Sequence, residues 1–140
     1  MPLTLVYIPH PVSDIVLHAW GTSREEVFSA ALRELNEVLK PGACEGARHS
    51  DCCMRIAVEA PDAVSLLVDF LSAALALSQM QKSLFCYVYF DQLEERCLSA
   101  RLFGRWHDGL ENQVKAVSYH EAALKRNADG RWVAHILCAM

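Results

Sequence analysis

The sequence has no excess of positive charge. Its 13 Lys plus Arg stand against 17 Asp plus Glu, for a formal net charge of -4. No overall field therefore attracts a phosphate backbone, which disfavours independent nucleic-acid binding and leaves room only for a local basic face. Long apolar runs are also missing. The most apolar stretch, Ala63 to Leu77, is interrupted by Asp69 and falls short of a bilayer span, so it reads as a buried helix and no membrane contact is expected. There is no G-x-x-x-x-G-K-[ST] loop to cradle phosphates, no G-x-G-x-x-G fingerprint and no glycine-flanked serine elbow to serve Ser13, His10 and Asp14 as a triad. Internal repeats and low-complexity tracts are absent as well, and no secretory leader is recognisable at the start. The six cysteines are accordingly expected as ordinary thiols in a reducing, cytoplasmic setting.

What is present is enough apolar residue, 53% of 140, to build one core, and residues 1–140 read as a single domain. Leu3 to Ile8 and Asp14 to Trp20 have extended character on either side of the Pro9-His10-Pro11 break. Ser23 with Glu26 forms a capping box, and apolar residues from Val27 to Leu39 repeat at helical spacing, which predicts a helix over Arg24 to Leu39. Met54, Ile56, Val58 and Ala60 alternate with more polar neighbours, as a half-buried strand does. Pro61 and Asp62 then open a second helix reaching about Gln79, expected to be the more deeply buried of the two.

From Leu84 onward the pattern is extended: Leu84 to Phe90, Cys97 to Phe103, Gln113 to Arg126 with room for a bend, and Trp132 to Leu137. Asn127 to Gly130 is a hairpin turn, because those residue types tolerate positive φ. The predicted class is α+β, a two-layer sandwich of two helices packed on a mixed, largely antiparallel sheet.

Three groups of residues have chemistry to offer. Cys44, His49, Cys52 and Cys53 are soft ligand types, but their spacing lacks paired knuckles, and unremarkable thiols are the simpler reading. Cys86, Cys97 and Cys138 fall in strand patterns and read as small core residues. Asp14, at the corner before a strand, can cap free amides or offer a hard oxygen to a cation. Lys115 and Tyr119 share one face of an extended segment and His120 the other, a surface suited to an acidic partner or to simple solvation.

The residues also resemble the archease family. Val114 to His120, V-K-A-V-S-Y-H, is similar to the family's K-A-[VI]-T-Y-H strand, and Ser13 to Gly21 looks like its A-D-[VI]-x-[IL]-x-A-[WY]-G motif. Thr22 to Ala31 resembles its capped helix, and Leu66 to Leu71 the start of its leucine-rich second helix. The resemblance implies the same α+β sandwich and a non-catalytic role: promoting guanylylation and multiple turnover of the RNA ligase that splices tRNA halves. It also implies a divalent metal held by acidic side chains, one matching Asp14 and one in the last strand, with His10 close by.

This chain departs from that pattern. The motif's histidine position falls on Pro11, with His10 displaced by one, and Ala139 stands where the terminal acid belongs. Ala73-Ala74 and Gln113 replace further acids that the family tends to carry. A single carboxylate is a poor cage for a hard cation. The alternative expectation is therefore an archease-like protein-binding module that has lost ligase activation and metal binding.

Overall fold

A computed structural model describes residues 14–45 and 50–140. The predicted strand Leu3 to Ile8, His10, Ser13 and His49 lie outside them. The described elements are β1 (Ile15–Gly21), α1 (Arg24–Leu39), β2 (Cys52–Glu59), α2 (Ala63–Gln81), β3 (Ser83–Leu93), β4 (Cys97–Trp106), β5 (Ala116–Arg126) and β6 (Trp132–Ala139).

Both helices start where side chains can satisfy the free amides of a first turn. Ser23 Oγ accepts from Glu26 N at 3.1 Å, and Asp62 Oδ1 accepts from Ser65 N at 2.8 Å. The capping box closes one residue early: Glu26 Oε1 takes the N–H of Thr22, not of Ser23, at 2.8 Å and the Thr22 hydroxyl at 3.1 Å. Those bonds hold the Glu26 carboxyl below its usual range. Gly21 is required just before this cap, because a Cβ there would stand 2.6 Å from Glu26 Cβ and 2.7 Å from the Val27 amide.

The strands divide into two three-stranded sheets, β1-β6-β5 and β2-β4-β3, and every pairing is antiparallel. The α+β arrangement of two helices on largely antiparallel strands thus stands, while the single mixed sheet becomes two. The alternation in β2 is as expected, with Met54, Ile56 and Val58 turned inward. The Asn127 turn is also in place: Asn127 N donates to Arg131 O at 2.7 Å, and Gly130 takes φ +86°.

The helix layer joins the sheets. α1 packs on β1 and β3, one strand from each sheet, and α2 packs on β5 and on all three strands of the other sheet. Phe28 of α1, Phe70 of α2 and Phe90 of β3 meet with ring centroids 5.5–6.1 Å apart, a spacing typical of attractive aromatic pairs. Buried Asn36 donates from Nδ2 to Phe85 O at 2.7 Å, serving a carbonyl beside the β3 irregularity between Phe85 and Tyr87.

Two expectations need correction. α2 is not distinctly the more buried helix, since α1 buries seven of its 16 residues and α2 eight of its 19. It also runs to Gln81, beyond the apolar run, and by length and composition it could cross a membrane; its Leu66, Leu67, Val68, Phe70 and Leu71 are instead buried in the core. The second correction concerns the thiols. Cys44 and Cys86 form a disulfide with Cα atoms 5.5 Å apart, because the chain leaving α1 passes along the bulged edge strand β3. Cys52, Cys53, Cys97 and Cys138 are free, and only Cys138 is a fully buried core residue.

Truncating Phe70 to Ala should cost about 3–5 kcal/mol of unfolding free energy in urea titrations, as expected for an aromatic ring lost from a close-packed core. Alkylation of the denatured, unreduced protein should label four cysteines, and all six after reduction, as counted by mass spectrometry.

Candidate functional site

Ile15 pairs with Cys138 and the register runs antiparallel, so Asp14 stands one step further out, level with Ala139. On the opposite flank of β6, Ala116 pairs with Ala139, and Lys115 N donates to Ala139 O at 2.8 Å. The end of β6 therefore lies between Asp14 and Lys115, and both residues are exposed. The Asp14 charge reaches Cys138, whose thiol pKa is pushed up to about 11, chiefly by burial and further by that carboxylate.

Tyr119 and His120 lie further along β5, where the ladder is broken between Ser118 and Ala123. There the strand carries extra residues, and Glu121 adopts φ +57°. Ser118 Oγ accepts from His120 N at 2.9 Å, and the His120 ring stands 3.3 Å from the Glu121 carboxylate. Tyr119 donates its phenol proton to Asp69 Oδ1 of α2. That bond, with some desolvation and the Asp69 charge, raises the Tyr119 pKa. Asp69 is thus the bulge's partner on the helix. The only sequence signal for it was a lone acid in an apolar run.

The structure brings Asp14 and Lys115 to one end of a sheet and places Tyr119 and His120 in a neighbouring bulge. His10 lies outside the described residues. Asp14 does not fit a hard divalent cation by itself: the position level with it across the ladder carries the methyl group of Ala139, and no group of three or more His, Cys, Asp or Glu able to hold a metal occurs among the described residues. The zinc reading of Cys44, His49, Cys52 and Cys53 also fails there, with Cys44 in a disulfide and Cys52 Sγ 3.6 Å from Ser83 Oγ. His18 and His135 face each other across β1 and β6, exposed, with ring centroids 4.5 Å apart.

A helix layer over two small antiparallel sheets, with a carboxylate and an ammonium group flanking the final strand, defines an α+β domain whose distinctive groups lie open on its surface. Residues 6–138 match the model of the archease protein family (MTH1598/TM1083), and the chain belongs to that family. It is 32% identical to a protein archease of Methanosarcina barkeri and 30% identical to one of Methanosarcina acetivorans, in each case over 94% of this chain and 92% of the relative. Two solved structures share the fold, each with a TM-score of 0.67. One is protein 1598 of Methanobacterium thermoautotrophicum, at 24% identity over 91% of this chain and 92% of that one. The other is a Thermotoga maritima archease described as a possible chaperone, at 16% identity over the full length of both.

The raised Tyr119 pKa sets the sign of a pH effect. The Asp69 bond contributes stability fully below the phenol's unfolded pKa near ~10, and that contribution is lost as pH rises through the higher folded value. Asp69→Asn should lower the Tyr119 titration midpoint, read from phenolate absorbance, and leave the other tyrosines unmoved.

Proposed function

We propose that this chain is a non-catalytic accessory protein that promotes guanylylation and multiple turnover of a tRNA-splicing RNA ligase. The observation that carries this reading is the exposed Asp14 carboxylate at the end of β1, level with the end of β6 and flanked across that strand by Lys115. Family membership supports it, as does the resemblance of Asp14 and the residues after it to the family's acidic motif. An exposed anion and an exposed cation on opposite flanks of one strand end suit docking against a partner's polar site, where charge complementarity governs encounter and register. Tyr119 and His120 extend the same contact surface along β5.

A non-catalytic role agrees with the state of these groups. The Tyr119 phenol is held protonated by Asp69, which opposes its use as a nucleophile or base. Lys115 and His120 point to open surface, without the water-excluding cleft that acid-base chemistry uses.

Ala139 favours a second reading, a protein-binding module of the same family that has lost ligase activation and metal binding. The two readings part in one experiment. With the matching ligase, the wild-type protein should convert a single turnover into many, and Asp14→Ala should abolish the gain. If both proteins leave turnover unchanged, the accessory role is wrong. In that case Ala139→Asp should create divalent-metal binding by calorimetry where the unmodified chain shows none.

A further inference from the structure

A second site lies on the other sheet, away from Asp14. Where α1 ends and β4 runs out, a cleft of about 450 Å³ is lined by Lys40, Leu84, Arg105, Trp106, His107 and Asp108, among others. We propose that this cleft binds the phosphate of a nucleotide, with the base stacked on Trp106.

The charge of the cleft comes first. Lys40 Nζ is held by the Gly109 carbonyl at 2.9 Å, and Arg105 Nη1 by the Ala43 carbonyl at 3.2 Å. Carbonyls fix these cations in place without neutralising them. The one carboxylate lining the cleft, Asp108, has a fully exposed side chain and approaches Lys40 only to 3.5 Å, a weak, solvent-screened pair. Asp51 lies nearby, but its Oδ2 accepts from Trp106 N at 2.8 Å and it does not line the cleft. Lys82 adds a further cation from the end of α2, where its carbonyl receives the His107 N–H at 3.2 Å. This is a concentration of positive charge in a chain whose net charge is -4.

The second observation is an unanswered polar group. Both ring nitrogens of His107 are sealed from bulk water and have no hydrogen-bond partner. Buried polar atoms are nearly always satisfied, so this imidazole keeps a spare donor and a spare acceptor, and because the residue lines the cleft a turn of its ring brings them to a ligand oxygen. Burial, then the Lys40 charge, and more weakly Lys82, lower the pKa of this imidazole, with Asp108 opposing. A bound anion would reverse that.

The third observation is the wall. Trp106 is 76% exposed, the most open large apolar side chain among the described residues, and an indole face is a general stacking platform for a base. Leu84 supplies apolar surface beside it. An oxyanion cradle next to an aromatic face fits a nucleoside phosphate, either as a free mononucleotide or as the phosphorylated end of an RNA strand.

The test is a titration of the intact protein, followed by tryptophan fluorescence and by the NMR signals of the His107 ring. Its arms are inorganic phosphate, adenosine, adenosine monophosphate, guanosine monophosphate, and a short RNA with and without a terminal phosphate. The expected result is quenching by the monophosphates and displacement of the His107 signals, with adenosine weaker than its phosphate by about tenfold or more. Lys40→Gln should weaken the monophosphates by about tenfold. Trp106→Ala should weaken them as well while leaving inorganic phosphate binding intact, and because Trp106 is exposed its loss does not endanger the fold. Binding of the phosphorylated RNA alone would assign the site to strand ends, and binding of both classes to nucleotides generally. Equal binding of adenosine and its phosphate, no response from any phosphate-bearing arm, or an unaltered response in both variants would overturn the proposal.

Discussion

Among the described residues the two sheets share no ladder, and the buried helix layer holds them as one body. α1 bridges β1 of one sheet and β3 of the other, and α2 bridges β5 and the β2-β4-β3 sheet. Phe28, Phe70 and Phe90 come from three different elements and meet at that junction. Each sheet has an apolar face that must be buried against another layer, and the helices supply that layer for both sheets at once. This accounts for the closeness of the α1 start to β1. Gly21 leaves no room for a Cβ, and Glu26 is turned back onto Thr22 to secure the entry.

That layering also leaves both sheets with an outer face and free ends, which is where the chemistry gathers. Asp14 and Lys115 flank the end of β6, while Tyr119 is tethered to α2 through Asp69 across the β5 bulge. The tether matters because a bulge has lost ladder bonds. A side-chain bond to a rigid helix restores the order that the backbone gave up. On the other sheet, β4 runs out against the end of α1 and places Arg105, Trp106 and His107 beside Lys40. Strand ends thus carry both candidate corners, and the second of them also takes in the ends of α1 and α2.

Much of this was legible in the residue order. The capped start of the first helix at Ser23, the proline and aspartate opening of the second, the alternation in Met54 to Val58 and the Asn127 turn each carry a local physical signal, and each occurs where expected. Division of the strands into two sheets was not legible, since alternation reports which face is buried and not which strand lies alongside. The Cys44–Cys86 bond was hidden for the same reason: it joins positions 42 apart, and only the path of the chain from α1 along β3 brings them together. Asp69 showed as an acid out of place, but its partner Tyr119 is 50 residues away.

The cleft beside Trp106 shows most clearly where sequence reasoning ends. Net charge excluded a strong overall field for phosphates, and that remains true at long range, where solvent screens the sum of all charges. Within one Debye length, only the local arrangement counts. Lys40, Lys82 and Arg105 are far apart in the chain, and each is unexceptional in its own segment. They share a neighbourhood because the end of α1, the end of α2 and the end of β4 converge at the same edge of the core. Carbonyl partners then fix Lys40 and Arg105 without discharging them. An acidic protein can in this way hold a basic pocket, because folding redistributes charge that composition only counts.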